Sequence, residues 1–84
     1  MQIEATVIDV LKEVSRRPIE PAPDSDLIVD LGFDSLQILE VIGELEERFN
    51  ISIPQDAVPV TRTVAEIVKE MTRLVNDVHG RSAP

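Results

Sequence analysis

The sequence predicts an all-α fold: an irregular four-helix bundle of three main helices, one short helix and a long first loop. Apolar residues recur at helical spacing almost throughout, and no long alternation of β-branched residues is present. Aromatic residues are limited to Phe33 and Phe49. The 84 residues suffice for one domain, which we expect to span residues 1–79, with a flexible tail at 80–84.

The first helix is predicted over about residues 2–16 and is followed by a long connection. Its apolar stripe consists of Ile3, Val7, Val10, Leu11 and Val14. Pro18 ends the helix because proline disfavours helical geometry at the preceding residue. A loop as long as residues 18–34 is usually functional or disordered. We expect its apolar residues to pack over the core; they are Ile19, Leu27, Ile28 and Leu31.

The second helix begins after Asp34, a good N-cap residue. Gln37 stands three positions later, so the pair approximates a capping box. We expect this helix to run to Phe49 and to end at Asn50.

The remaining segments are an extended stretch, a short helical turn and a last helix. Residues 51–54 are predicted to be extended, and Gln55 to Val58 to form the turn. The last helix begins at Thr63, which pairs with Glu66 in a second capping box. Gly80 is predicted to follow the end of this helix.

The chain is strongly acidic, with 16 acidic against 8 basic residues and a net charge of −8. Such a charge repels nucleic acids and anionic membrane surfaces and favours partners with basic patches. The absence of cysteine excludes disulfides, thiolate metal sites and cysteine nucleophiles, and it fits a cytoplasmic protein. No signal peptide and no membrane-spanning run are found, and we expect a monomer.

Few residues in the sequence indicate catalysis or metal binding. A core this small leaves little room for an enclosed active site, so we expect no catalytic residues. His79 is the only histidine and lies near the end of the last helix, where a solvated role is expected. Asp24, Asp26 and Asp30 lack the glycine and distal glutamate of a calcium-binding loop, so no metal site is predicted.

The second helix has two apolar faces. One is an ordinary core stripe, made of Ile38, Val41, Ile42, Leu45 and Phe49. The other consists of Leu36, Leu39 and Gly43, and it is flanked by Glu40, Glu46 and Glu47. This second face is either a docking patch, with apolar contact for affinity and charges for steering, or it packs beneath the long loop.

Ser35 stands in the first turn of the same helix. The unpaired backbone N–H groups and the helix dipole favour an anion at this position, so a phosphate ester on Ser35 would be stabilised. A serine at a helix start is also common as a simple capping or near-capping residue.

Residues 30–36 read Asp-Leu-Gly-Phe-Asp-Ser-Leu and resemble the prosthetic-group attachment motif of acyl carrier proteins. The resemblance extends over residues 3–78. Further landmarks at the family's spacing are Glu40, Leu45-Glu46-Glu47, Phe49, Ile53-Pro54 and Thr63-Val64.

The resemblance implies an acyl-carrier-protein-like bundle with 4'-phosphopantetheine attached to Ser35. A phosphopantetheinyl transferase loads the serine from coenzyme A in a magnesium-dependent reaction, with Asp34 beside it, and the terminal thiol of the arm carries acyl groups as thioesters. The second and third helices gate a pocket for the growing chain. Acyl-loading, condensing and tailoring enzymes are implied to face Leu36, Leu39, Glu40, Glu46, Glu47 and Ile53.

Three positions depart from typical fatty-acid carriers. Phe33 replaces a small residue and is frequent in polyketide-type carriers, Gln37 replaces an acid, and Gly43 replaces a bulky apolar residue. These differences favour a dedicated carrier for a specialised pathway such as polyketide assembly over a general fatty-acid carrier. Two alternatives remain: a peptidyl or aminoacyl carrier, and an unmodified acidic helical adaptor that binds proteins through Leu36 and Leu39.

Overall fold

The computed structural model describes residues 2–54 and 62–81. Within them it contains three helices, α1 (Ile3–Val14), α2 (Ser35–Phe49) and α3 (Val64–Arg81). The all-α prediction is confirmed, while the short helical turn predicted at Gln55–Val58 lies outside the described residues. None of the described helices is long and apolar enough to cross a membrane.

Helix α1 packs against both α2 and α3. Its residues Val7, Val10 and Leu11 are fully buried, as the apolar spacing predicted. The helix ends at Val14, two residues before the predicted end. Ser15 adopts an extended conformation, and its hydroxyl donates to the carbonyl of Arg17 at 2.6 Å. This local hydrogen bond competes with helix formation, and Pro18 disfavours a helical residue before it.

Helix α2 presents the predicted stripe to the core. Val41, Leu45 and Phe49 are buried, while Ile38 and Ile42 are partly buried at the edge of the stripe. The helix ends where it was predicted to end. Asn50 adopts the left-handed conformation, with φ of 54°, which is a common way to terminate a helix.

Helix α3 begins with the predicted capping box. The backbone N–H of Thr63 donates to Oε1 of Glu66 at 2.8 Å, and the N–H of Glu66 donates to Oγ1 of Thr63 at 3.2 Å. The buried residues of this helix are Val64, Ile67, Met71, Leu74 and Val75.

The predicted end of α3 is wrong, because the helix includes Gly80 and Arg81. Glycine within a helix costs about 1 kcal/mol relative to alanine, which weakens a terminal turn without forbidding it. Residues 82–84 of the predicted tail lie outside the described residues, as does the side chain of His79.

The connection between α1 and α2 is tied to the start of α3 by backbone hydrogen bonds. The N–H of Leu27 donates to the carbonyl of Arg62 at 3.0 Å, and the N–H of Val64 donates to the carbonyl of Ser25 at 3.1 Å. Leu27, Leu31 and Phe33 are buried by this arrangement, and Ile19 is partly buried.

One apolar residue of the connection does not pack as expected. The side chain of Ile28 is 50% exposed. It lies in a turn over residues 27–31, whose first and last residues, Leu27 and Leu31, point into the core. The turn therefore buries its ends and leaves its middle in solvent.

Candidate attachment site and docking face

Ser35 is the first residue of α2 and is exposed to solvent. The capping box before it is complete. Asp34 is extended, with φ of −98° and ψ of 179°, and its Oδ1 accepts the N–H of Gln37 at 2.8 Å. In return, the N–H of Asp34 donates to Oε1 of Gln37 at 3.2 Å. Gln37 is 7% exposed, so its side chain is anchored in the packed interior. The two reciprocal hydrogen bonds between Asp34 and Gln37 therefore fix the first turn of the helix.

The turn before Ser35 is held by a second network of carboxylate hydrogen bonds. Oδ1 of Asp26 accepts the N–H groups of Ile28 and Val29, both at 2.8 Å. The N–H of Asp26 donates to Oδ2 of Asp30 at 2.7 Å, and Nε of Arg62 donates to Oδ2 of Asp26 at 2.6 Å. The pKa of Asp26 is lowered, chiefly by the N–H of Val29, with further contributions from Ile28 and Arg62.

Gly32 turns the chain from this loop into α2. Its φ of 74° is a conformation that a residue with a side chain rarely adopts, so glycine is required here. The next residue, Phe33, is buried, and its N–H donates to the carbonyl of Leu27 at 2.9 Å. Ser35 thus follows a segment that is fixed by both packing and backbone hydrogen bonds.

Phosphopantetheine, the group implied for Ser35, fits the residues present. In the described part of the chain, the hydroxyl of Ser35 makes no hydrogen bond to protein atoms, and neither do the N–H groups of Ser35 and Leu36. An ester on this hydroxyl therefore displaces no protein contact, and two backbone donors of the first turn remain free to face an anion.

Leu36 and Leu39 are exposed, at 59% and 62% of their surface. The interpretation in which they pack beneath the loop is therefore wrong. Gly43 lies on the same side of α2, and no atom comes within 4 Å of the position that a Cβ on it would take. Gly43 lines an open groove between α1 and α2 together with Glu13, Val14, Glu40, Glu44 and Glu47. Four of these six lining residues are glutamates, and one of them, Glu13, is paired with Arg48.

Glu46 has a structural contact that the sequence did not reveal. One carboxylate oxygen, Oε2, accepts the N–H of Ile53 at 2.8 Å, and the carbonyl of Glu46 accepts the N–H of Ile51 at 3.1 Å. Glu46 is partly buried, unlike the exposed Glu40 and Glu47. It therefore fixes the segment that follows α2.

Comparison with known proteins identifies the family. The family model of the phosphopantetheine attachment site matches residues 5–71. An acyl carrier protein of Sulfurovum sp. (strain NBC37-1) is 38% identical over 60 residues, which cover 71% of this chain and 80% of the relative. The chain belongs to the acyl carrier protein family. Its prosthetic group is phosphopantetheine, and its partners are biosynthetic enzymes.

Other acyl carrier proteins match over more of this carrier. One from Streptomyces coelicolor is 36% identical over 81 residues, covering 96% of this chain and 82% of the relative. A solved structure of a candidate acyl carrier protein from Mycobacterium tuberculosis superposes with a TM-score of 0.80 at 27% identity, covering 84% of this chain and 96% of that one. The acetyl actinorhodin acyl carrier protein from Streptomyces coelicolor shares the fold, with a TM-score of 0.72 at 22% identity and coverage of 89% and 92%.

The carrier has an apolar cavity between α2, α3 and the loops. It is lined by Leu27, Ile38, Val41, Ile42, Leu45, Ile53, Ile67 and Met71. Its volume is about 20 Å³, which is space for a single water molecule. In this conformation the cavity is closed to an acyl chain, so any chain that enters it must displace side chains.

Val29 is 72% exposed beside the half-exposed Ile28, an exposure that the apolar pattern did not predict. In the described part of the carrier, the exposed large hydrophobic residues are Ile28, Val29, Leu36 and Leu39, all within seven positions of Ser35. Asp26 is the residue from which this exposure could have been predicted. Aspartate commonly accepts backbone N–H groups two and three residues later and so turns the chain outward.

Proposed function

We propose that Ser35 carries the phosphopantetheine arm and that this chain is a non-catalytic carrier that delivers acyl intermediates to biosynthetic enzymes. The observation that carries the proposal is the exposed, unbonded hydroxyl of Ser35 at the start of a capped helix, inside the matched segment. When bound, the arm supplies a terminal thiol that holds acyl groups as thioesters. The carrier domain is proposed to comprise residues 1–79.

The residues around Ser35 orient and stabilise the attached group. The capping box holds the first turn of α2, so that the free N–H groups of Ser35 and Leu36 face the phosphodiester. Asp34 uses Oδ1 in the capping box, and its Oδ2 makes no contact in the described part of the chain. We assign Oδ2 to the contact with the phosphopantetheinyl transferase and its magnesium ion.

The exposed side of α2 is proposed to contact partner enzymes. These are the phosphopantetheinyl transferase and acyl-loading, condensing and tailoring enzymes with basic docking patches. The exposed leucines supply apolar contact, and the carboxylates steer a basic partner towards it. The proposed docking residues are Leu36, Leu39, Glu40, Gly43, Glu46, Glu47 and Ile53. Since Glu46 already binds the N–H of Ile53, these two residues contribute as one unit.

The pathway is proposed to be a specialised one, such as polyketide assembly. The proposal rests on Phe33 and on the open groove at Gly43, where the family's fatty-acid carriers place a small residue and a bulky one respectively. We further propose a cytoplasmic monomer, on the strength of the cysteine-free, acidic sequence. A panel of acyltransferases and adenylating enzymes, assayed for transfer onto the loaded carrier, separates acyl from aminoacyl cargo.

Loading of the purified protein tests the attachment site. The chain is incubated with coenzyme A, magnesium and a broad-specificity phosphopantetheinyl transferase, and intact mass is measured. We expect a gain of one phosphopantetheine group that is lost in Ser35→Ala. Ser52→Ala is the matched control, because Ser52 is also exposed but lies beyond α2, and it must retain the gain.

Two results would contradict the proposal. A mass gain that persists in Ser35→Ala would place the group on another residue. No gain in the wild type, under conditions that load a known carrier, would instead support the unmodified adaptor that binds proteins through Leu36 and Leu39.

A further inference from the structure

An arginine side chain rests on the backbone just before the attachment helix. Nη2 of Arg17 lies 2.7 Å from the position that a Cβ on Gly32 would occupy. A side chain at residue 32 would therefore require the end of the flexible Arg17 side chain to move aside. Gly32 not only allows the turn into α2 but also leaves a place for Arg17.

The base of the Arg17 side chain is fixed. Oγ of Ser15 donates to the carbonyl of Arg17 at 2.6 Å and accepts its N–H at 3.3 Å. Because both backbone groups of Arg17 bond to one side chain, the residue is held in a tight turn after α1. The guanidinium itself lies beside Gly32, three residues before Ser35.

The guanidinium of Arg17 has no carboxylate partner in the described part of the chain. Arg48 and Arg62, by contrast, pair with Glu13 and Asp26. Lys12, Arg16 and Lys69 likewise form no ion pair among the described residues, so what distinguishes Arg17 is the position of its guanidinium beside Gly32.

The two carboxylates that flank Gly32 in the sequence are already engaged by the backbone. Oδ2 of Asp30 accepts the N–H of Asp26, and Oδ1 of Asp34 accepts the N–H of Gln37. These bonds turn the two side chains towards their own loops. Arg17 forms no ion pair with either of them in the described part of the chain.

We infer that Arg17 binds the phosphodiester that joins the phosphopantetheine arm to Ser35. The inference rests on the proposed attachment at Ser35. The Cα atoms of Gly32 and Ser35 are separated by three peptide units, at most about 11 Å, and the contact requires the flexible Arg17 side chain to move from Gly32 towards the ester. A guanidinium can donate two parallel hydrogen bonds to phosphate oxygens.

Electrostatics also favours the contact between Arg17 and the phosphodiester. Attachment adds one negative charge to a protein of net charge −8, on the residue that follows Asp34. A nearby cation offsets the repulsion that this charge meets. Arg17 therefore binds the arm at its fixed end and leaves the thiol end free to reach partner enzymes.

A thermodynamic cycle between loading and mutation tests the inference. Unfolding free energies are measured for apo and fully loaded protein, in the wild type and in Arg17→Gln, with loading verified by mass. We expect Arg17→Gln to raise the unfolding equilibrium constant of the loaded form about 1.5- to 5-fold more than that of the apo form, as for an exposed ion pair. High salt should reduce this difference because it screens the charges.

Arg16→Gln is the matched control, because Arg16 is the adjacent exposed arginine with the same charge. We expect it to change the apo and loaded forms equally. The phosphorus-31 resonance of the loaded protein provides an independent readout, which should shift in Arg17→Gln and not in Arg16→Gln.

Equal losses in the apo and loaded forms of Arg17→Gln would overturn the inference, as would equal effects of Arg16→Gln and Arg17→Gln on the loaded form. Both results leave attachment intact, because loading is read by mass. Absence of loading in the wild type would instead contradict the proposed function.

Discussion

Arg62 donates from Nε to Oδ2 of Asp26 at 2.6 Å, and the two residues are 36 positions apart in the chain. This ion pair connects the turn before the attachment helix to the start of α3. The carbonyl of Arg62 also accepts the N–H of Leu27, and Oδ1 of Asp26 accepts two further N–H groups from the turn. The carboxylate of Asp26 therefore adds to the packing and backbone hydrogen bonds that hold the segment leading to Ser35.

Acidification should weaken this connection. The pKa of Asp26 in the folded protein lies below its ordinary value, so its contribution to stability is full above about pH 4 and is lost as the pH falls through the folded pKa. Glu66, whose carboxylate accepts the N–H groups of Thr63 and Arg62, acts in the same direction. We expect Asp26→Asn to lower the melting temperature at neutral pH and to reduce its loss on acidification.

Thermal unfolding followed by circular dichroism across acidic pH measures this effect. Asp24→Asn is the control, because Asp24 is a neighbouring exposed aspartate that makes no hydrogen bond or ion pair in the described part of the chain. It removes the same amount of charge repulsion without breaking the turn. If the melting temperature of Asp26→Asn falls on acidification as steeply as that of Asp24→Asn, Asp26 does not hold the loop.

Two substitutions of Asp34, the N-cap of α2, should affect stability and loading differently. Asp34→Ala removes the acceptor of the Gln37 N–H and should lower the unfolding free energy by about 0.5–2 kcal/mol. Asp34→Asn keeps an acceptor oxygen and should retain most of the stability, but it loses the charge assigned to the transferase and its magnesium ion. We therefore expect near-native melting with slow loading in Asp34→Asn, measured by urea unfolding and by mass gain over time. If Asp34→Asn loses as much stability as Asp34→Ala, the capping role of Asp34 is contradicted.

The features that sequence reasoning predicted correctly depend on short separations along the chain. The capping boxes of Asp34 with Gln37 and of Thr63 with Glu66 each span three residues, and both are present. The separation of Leu36 and Leu39 from the core stripe followed from the angular position of residues around a single helix, although the sequence left open whether the loop covers them. Such features require no knowledge of how distant segments meet.

The features that it missed depend on contacts between distant segments or on the direction of a turn. No local pattern links Asp26 to Arg62 or places Arg17 against Gly32. The exposure of Ile28 depends on which amides Asp26 binds, since hydrophobicity alone predicts burial. At the site itself, sequence therefore predicted Ser35 and its helix, but the surrounding loop required the three-dimensional arrangement.

The two faces of α2 should differ sharply in their energetic roles. Leu45 is 2% exposed and belongs to the core, so Leu45→Ala should cost about 2–5 kcal/mol. Leu39 is 62% exposed, and Leu39→Ala should change stability by no more than about 0.5 kcal/mol.

Partner kinetics complete this comparison. Under conditions where both variants are folded, we expect Leu39→Ala to slow the phosphopantetheinyl transferase more than Leu45→Ala does, because only Leu39 is on the surface. Loading rates at limiting enzyme and unfolding curves are measured on the same samples. If Leu39→Ala loads at the wild-type rate, the docking function of this face is not supported for the transferase.

The absence of a side chain at Gly43 should favour partner binding rather than the stability of the fold. Nothing lies within 4 Å of a Cβ at this position, and glycine within a helix is destabilising by about 0.5–1 kcal/mol relative to alanine, so Gly43→Ala should stabilise the carrier by that amount. If partner enzymes fill the groove, the same methyl group should slow acyl transfer. Asn76→Ala is the control, because it improves helix propensity on the exposed surface of α3, away from the groove. Equal transfer rates in both variants, measured with an acyltransferase that uses the wild type, would show that the groove is not a docking feature.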